Sequence, residues 1–164
     1  DDEAACATPI DVDLWAGSFP ALRFLFERVA AQSDWDQARW AQFQIVRLKR
    51  WSAGRVAVLG DAAHGMPPYL AQGAGHAMMN ALGLAVALEA APDLAGGLTT
   101  WERRERPLTE HTQRWTQIYG LTLGLPKALK PILIGMEQHL PWLAAQYVRA
   151  ANHVPTGCVP VTRY

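Results

Sequence analysis

The sequence has only two cysteines, and it has no long apolar run. Cys6 and Cys158 stand near opposite ends without C-x-x-C spacing, so neither a metal knuckle nor a disulfide framework is indicated. A single disulfide between them stays open beside the simpler interpretation, reduced thiols in a cytoplasmic protein. No apolar run approaches the roughly 20 residues that span a bilayer, and no signal peptide opens the chain. We therefore expect a cytoplasmic protein without a transmembrane segment.

Charge is also scarce, and it is balanced. Charged residues make up 18% of the 164 residues, with 15 basic and 15 acidic side chains. The electrostatic footprint of a nucleic-acid binder is therefore missing. Half of the residues are hydrophobic and seven are tryptophan. This composition is enough to bury a core, and it predicts apolar surface that a cofactor or further protein covers.

The apolar pattern predicts a strand pair followed by a helical C-terminal half. Residues 1–18 are expected to form a short strand or an extended connection, and residues 43–51 and 55–59 the strand pair. Helices are predicted at 20–32, 33–40, 72–91, 98–125 with an interruption at Pro107, from Pro126 onward, and at 141–152. A loop is expected over 93–97, and an extended tail from His153.

The segment 54–85 contains the residues that are most informative about function. Asp61 follows a predicted strand after Gly60, which lets the backbone turn sharply at the strand end where α/β folds bind ligands. Pro67–Pro68 predicts a stiff turn. Gly73, Ala74 and Gly75 open a predicted helix and leave N–H groups bare, which favours negative charge beside them. Taken alone, Asp61 could equally be a turn residue at a strand end.

These residues resemble a known fingerprint. The order G-D-A-A-H, then P-P, then Q-G before a helix resembles the second flavin motif of the p-hydroxybenzoate-hydroxylase-like, FAD-dependent aromatic-ring monooxygenases. It is carried by Gly60–His64, Pro67–Pro68 and Gln72–Gly73. The lead-in at Trp51 and Gly54–Arg55 and the later segment Trp101–Arg104 with Pro107 are also similar to this family, and the similarity runs from about residue 11 to 117.

The resemblance implies a role for each matched residue. Asp61 would bind the ribityl hydroxyls of FAD, and Gly60 before it would also belong to the cofactor site. The N–H groups of Gly73, Ala74 and Gly75 would meet the pyrimidine edge of the flavin. Pro68 would lie beside the flavin ring, and the loop from Pro67 through Tyr69 would shape a dry substrate pocket. The implied reaction is hydroxylation of an aromatic ring at the expense of NADH or NADPH and O2. No residue is identified as an acid or a base.

The resemblance also implies the fold. The chain would be an α/β (α+β-like) fragment that contains the end of a Rossmann-type FAD-binding domain. Residues 1–50 would end the substrate-domain region and return to the FAD domain, 51–125 would be the C-terminal part of the FAD-binding domain, and 126–164 the last helices and tail. Ala71, Gly75 and Met79–Asn80 depart from the commonest form of the motif and resemble a sub-branch that includes hydroxylases of pyridine-type rings.

A second motif that such a protein needs is absent. No G-x-G-x-x-G follows an early strand, so the part that holds the ADP half of FAD is expected in an N-terminal part not contained in this sequence. The chain alone is therefore expected to bind FAD weakly and to be inactive. Two alternatives stay open: a non-catalytic fragment or interaction module, and a flavin-dependent reductase of the same fold. The substrate, and the choice between NADH and NADPH, stay open as well.

Two other clusters have simpler interpretations. Asp61 and His64 are three residues apart and His76 lies nearby, but neither His76 nor any other residue has convincing spacing for a third metal ligand. We therefore predict no metal site and interpret His64 as a packed, hydrogen-bonded loop residue. The run Glu102–Arg106 is expected to be a solvated helix face whose charges pair with one another.

Overall fold

The computed structural model describes residues 3–32, 34–35, 41–126, 128–155 and 157–158. The chain divides into two compact units, Asp1–Gln42 and Phe43–Tyr164, which are described separately below. Cys6 and Cys158 are both free thiols. Within the described ranges, no helix combines the length and the apolarity needed to cross a membrane.

The first unit is helical. A 3-10 turn at Ala4–Cys6 precedes α1 (Val12–Ser18), and a second turn at Pro20–Leu22 leads into α2 (Arg23–Gln32). The extended segment predicted for residues 1–18 is therefore wrong, because the Asp11 side chain accepts a hydrogen bond from the Leu14 N–H and caps α1. The helical start at Pro20 is confirmed. The helix predicted over 33–40 lies almost entirely outside the described residues.

The strand pair of the second unit is much shorter than predicted. β1 (Ser52–Ala53) and β2 (Val56–Ala57) form an antiparallel hairpin that turns at Gly54, where φ is +58°. No strand forms over residues 43–50, because their backbone groups bind elsewhere. The Val46 N–H donates to the Gly65 carbonyl, and the carbonyls of Leu48 and Lys49 accept from the Arg106 side chain.

Helices make up most of the second unit. In chain order they are α3 (Asp61–His64), a 3-10 turn at Pro68–Leu70, α4 (Gly73–Ala90), α5 (Leu94–Leu123), α6 (Lys130–His139) and α7 (Pro141–Val148). The helix predicted at 72–91 is confirmed. The predicted loop at 93–97 is wrong, because the Asp93 side chain accepts from the Gly96 N–H at 2.8 Å and starts α5 there.

Pro107 lies inside α5 without ending it. A proline in a helix leaves the carbonyl four residues earlier without its donor. That carbonyl belongs to Arg103, and α5 nevertheless continues past Pro107 to Leu123. The predicted interruption at Pro107 is therefore wrong. The core of this unit packs the hairpin onto these helices through Trp51, Ala63, Ala87 and Trp101. The short sheet with its helices agrees with a partial α/β fold.

Candidate functional site

The turn after β2 presents a carboxylate to solvent. Gly60 has φ +62° and ψ −148°, a conformation that residues with a side chain rarely adopt. This turn ends the strand segment, and Asp61 begins α3 directly after it. Asp61 is exposed, whereas Ala63 and His64 on the same short helix are buried. The C-terminal end of α3 is therefore buried, while the Asp61 carboxylate at its start is exposed and can accept hydrogen bonds from a ligand.

His64 anchors α3 to the core. Its Nε2 lies 2.9 Å from Asn80 Nδ2 on α4, and its ring lies 5.2 Å from the Trp51 ring, centre to centre. Because the amide nitrogen of Asn80 donates, His64 Nε2 accepts and the ring is neutral. Burial lowers the pKa of His64, in keeping with that state. The prediction of a packed, hydrogen-bonded histidine is confirmed, although it stands in a short helix and not in a loop.

The Pro-Pro segment forms an exposed bend that is fixed from beneath. Pro67 is buried, and its carbonyl accepts a hydrogen bond from Thr116 Oγ1 at 3.0 Å. Pro68 and Tyr69 are exposed on the 3-10 turn that follows. The turn ends at Ala71, whose φ of +53° and ψ of +30° are left-handed. A glycine would adopt this conformation at no steric cost, whereas the alanine that stands there is strained.

The start of α4 offers uncommitted hydrogen-bond donors. No side chain caps this helix, and the first return bond runs from the His76 N–H to the Gln72 carbonyl at 3.0 Å. The N–H groups of Gly73, Ala74 and Gly75 therefore have no acceptor within the helix. A Cβ added to Gly75 would meet no atom within 4 Å, so the backbone there is open to a ligand. The Gln72 side chain instead donates to the Tyr147 carbonyl.

The two halves of the motif adjoin. A Cβ built on Gly60 would lie 3.7 Å from the Cβ of Ala77, which is one helical turn beyond Gly73 on α4. The carboxylate-bearing turn and the bare helix start thus belong to one edge of the unit. A carboxylate that accepts hydrogen bonds from hydroxyls, next to a helix N-terminus that favours negative charge, fits the ribityl chain and the pyrimidine edge of a flavin.

A buried polar layer, which was not predicted from the sequence, lies beneath this edge. Thr109 Oγ1 of α5 lies 3.2 Å from both His76 Nδ1 and Asn80 Nδ2. Burial, and secondly the proximity of His64, lower the pKa of His76 to about 4. The signal was present as polar residues at helical spacing along α5, all of which are buried: Glu105, Thr109, Thr112, Gln113, Thr116.

The charged run on α5 is only partly the solvated face that was predicted. Arg106 pairs with Glu102 at 2.7 Å and Glu110 at 2.6 Å, as expected for mutual ion pairs. Glu105, however, is 3% exposed and lies 3.2 Å from His153 Nε2. Glu102 binds the Ser52 N–H and hydroxyl. Desolvation raises the pKa of Glu102, but hydrogen bonds from Trp51, Arg106 and Ser52 outweigh it and the pKa is lowered.

Several cavities border the described elements of this unit. One of about 200 Å³ lies behind the start of α4 and is lined by Gln72, Gly75 and His76 together with Ala150 and Ala151. A larger cavity of about 690 Å³ opens between α5 and the segment after α7, and none of the motif residues line it. Across the described part of the chain, no group of three or more His, Cys, Asp or Glu side chains is arranged to hold a metal ion.

Known proteins are similar to this chain in sequence and in fold. A family model described as an FAD binding domain matches residues 14–116. The 2-heptyl-3-hydroxy-4(1H)-quinolone synthase of Mycobacteroides abscessus is 41% identical over 135 residues, which are 82% of this chain and 35% of that protein. A 3-hydroxy-4-methyl-anthranilyl-[aryl-carrier protein] 5-monooxygenase of Streptosporangium sibiricum is 43% identical over 79 residues, 48% of this chain and 22% of that protein.

A solved structure gives the same result for the fold. 2-Methyl-3-hydroxypyridine-5-carboxylic acid oxygenase superposes with a TM-score of 0.76 at 32% identity, over 96% of this chain and 38% of that one. The chain spans about 40% of the length of the curated relatives that it matches over nearly all of its own residues. The resemblance to FAD-dependent aromatic-ring monooxygenases is thereby confirmed. The chain belongs to the FAD-binding domain family, and the cofactor of that family is FAD.

Proposed function

We propose that the whole protein is an FAD-dependent monooxygenase that hydroxylates a nitrogen-containing aromatic ring, with NADH or NADPH as reductant and O2 as oxidant. One observation carries the proposal: the uncapped start of α4 adjoins the turn that presents the Asp61 carboxylate. When bound, FAD would supply the redox chemistry, and protein groups supply binding, orientation and electrostatics. The cytoplasm, where both reductants are available, is the compartment that we propose.

Different residues of this chain would contact the ribityl chain and the pyrimidine edge of the flavin. The Asp61 carboxylate would accept hydrogen bonds from the ribityl hydroxyls, next to the turn at Gly60. The N–H groups of Gly73, Ala74 and Gly75 would donate to the pyrimidine edge and stabilise negative charge there. These donors are fixed by the helix before any ligand arrives, so they need no reorganisation during the reaction.

The exposed bend of the Pro-Pro segment would form one wall of the substrate pocket. Pro67 is buried and bound to Thr116, so it would set the position of the bend without meeting the substrate itself. Pro68 and Tyr69 are exposed and present apolar surface that would keep water away from the reacting ring.

The nature of the substrate is inferred from two relatives. The names of the Mycobacteroides abscessus synthase and of the structurally similar oxygenase refer to a quinolone and a pyridine, both of which contain nitrogen in an aromatic ring. The same class is favoured by the departures from the common motif at Ala71, Gly75 and Asn80. Residues 1–50 would then end the substrate region, 51–125 complete the FAD-binding domain, and 126–164 form its last helices. An N-terminal part outside this sequence would hold the ADP half of FAD.

The flavin contact is tested with Asp61→Ala in the whole protein. A hydrogen bond to a charged group contributes about 1.5–3 kcal/mol, so the Kd for FAD should rise roughly tenfold to a hundredfold. Asp93→Ala is the matched control, because it removes the cap of α5 and about 1 kcal/mol of stability while it leaves the flavin site alone. Equal FAD affinity in the wild type and Asp61→Ala would refute the assignment.

The reaction is tested by offering the whole protein a 4(1H)-quinolone, a 3-hydroxypyridine and a hydroxybenzoate. We expect NAD(P)H oxidation that depends on O2 and on one of the two nitrogen heterocycles, with one oxygen atom gained by the product in mass spectrometry. Turnover without O2 would favour a flavin-dependent reductase instead. A protein that purifies without the absorption bands of flavin and does not take up FAD would favour an interaction module.

A further inference from the structure

The exposed bend at Pro67–Leu70 rests on one face of α5, and this face has a glycine where the aromatic ring of the bend meets it. Thr116 Oγ1 donates to the Pro67 carbonyl at 3.0 Å. One turn further along α5, a Cβ built on Gly120 would lie 2.4 Å from Tyr69 Cε2 and 2.7 Å from Tyr69 Cδ2. Carbon atoms in ordinary contact are about 3.5–4.0 Å apart. The Tyr69 ring therefore packs on bare helix backbone, in space that only glycine leaves free.

The glycine needs this explanation, because its position is otherwise unfavourable for it. Gly120 lies inside α5, where alanine is the better helix former. Its φ is not positive, so the backbone conformation does not require glycine. Gly135 in α6 offers a contrast, since a Cβ there would meet no atom within 4 Å. Close approach of the Tyr69 ring is the feature that sets Gly120 apart.

We propose that Gly120 is a positioning residue, which sets where the Tyr69 ring stands in the wall of the substrate pocket and thereby which aromatic substrates fit. The inference rests on the proposed function, since Tyr69 lines a pocket only if the protein binds a substrate there. Tyr69 is 43% exposed, so part of its ring packs on α5 while the rest is free to meet a ligand. Gly120 would thereby be a determinant of the size of substrate that the hydroxylase accepts.

An added methyl group at position 120 would move the ring and not the backbone of the bend. The Ala71 N–H donates to the Pro68 carbonyl at 2.8 Å, and Thr116 fixes Pro67, so the bend is bound at both ends. The Tyr69 ring would have to retreat by about 1 Å to reach ordinary contact. In a hydrophobic pocket, one extra or missing methylene group changes discrimination between substrates by roughly 10- to 200-fold.

The packing is tested by thermal unfolding of the whole protein. Gly120→Ala should lower the Tm by a few degrees, whereas Gly135→Ala, the matched helical control, should raise it. With Tyr69→Ala in the background, Gly120→Ala should raise the Tm as the control does, because the clashing ring is gone. A Gly120→Ala variant that gains stability beside an intact Tyr69 would overturn the inference. If Gly120→Ala alone does not fold, rescue by Tyr69→Ala supports the inference, and failure of the double variant to fold overturns it.

The substrate role is tested by kinetics on the same variants. Gly120→Ala should retain its FAD and lose roughly 10- to 100-fold in kcat/KM for the aromatic substrate, mainly through KM, because the displaced ring changes the fit of the substrate. Gly135→Ala should keep both constants. A lowered Tm with an unchanged KM would show that Gly120 serves packing alone and would refute its role in the pocket. A whole protein that hydroxylates no ring would refute the proposed function, while the comparison of Tm values would still decide whether Gly120 positions Tyr69.

Discussion

The buried histidines of the polar layer predict how stability depends on pH. His76 is 1% exposed, and its pKa is lowered from 6.5 to about 4, chiefly by burial. In the unfolded chain the same ring takes up a proton near pH 6.5. Between pH 6.5 and about 4 the unfolded state therefore binds more protons than the folded state, so stability falls as the pH falls. The contribution is fully present above pH 6.5 and is lost once the pH is below about 4.

The size of the effect follows from the same two pKa values. When the unfolded state binds one more proton than the folded state, the free energy of unfolding falls by up to about 1.4 kcal/mol for each pH unit. His76 therefore accounts for about 2 kcal/mol of the stability lost between pH 7 and pH 5. His76→Asn keeps a side chain that can form a hydrogen bond with Thr109, but it cannot take up the proton. We expect this variant to lose less free energy of unfolding than the wild type between pH 7 and 5, by about 2 kcal/mol.

Urea unfolding of the whole protein at pH 7, 6 and 5 measures the difference. The reasoning is refuted if wild type and His76→Asn lose the same free energy of unfolding over this range. His64, whose pKa is lowered in the same direction by burial, should contribute a smaller effect of the same sign.

Two further predictions concern the motif. Ala71→Gly should raise the free energy of unfolding by about 1 kcal/mol in urea titration, because alanine is strained at a φ of +53° and glycine is not; a loss of stability would contradict this. Gly75→Pro should remove one donor from the start of α4 and disturb the N–H of Ala74, so the flavin midpoint potential should fall and anaerobic reduction by NAD(P)H should slow. A folded, FAD-bound Gly75→Pro protein with both values unchanged would show that the flavin lies elsewhere.

The sequence predicted the motif geometry well because that geometry is local. A turn at Gly60 and a helix start at Gly73 depend on backbone preferences over a few neighbouring residues, and both were found where expected. The same holds for the helix that begins at Pro20. The caps at Asp11 and Asp93 were equally local and were missed, although each has the side chain that a helix N-terminus needs.

The failed strand prediction at residues 43–51 had a different origin. Alternating apolar and polar residues say that a segment has two faces, but they do not say what its backbone groups bind. Here the partners are side chains far along the chain, Arg106 for the carbonyls of Leu48 and Lys49, and Gln113 for that of Val46. Such contacts exist only after α5 has packed on this segment.

The sequence by itself thus determined the family and the order of the motif, because a carboxylate, a proline pair and a glycine-rich helix start are chemically specific at fixed spacing. Only the tertiary structure decided which polar residues are buried. His76 and Thr109 lie 33 positions apart, and their contact depends on the packing of α4 against α5. The position of the Tyr69 ring on Gly120 depends on how the turn at Pro68–Leu70 packs against α5, since burial and contact are properties of the assembled elements and not of any local stretch.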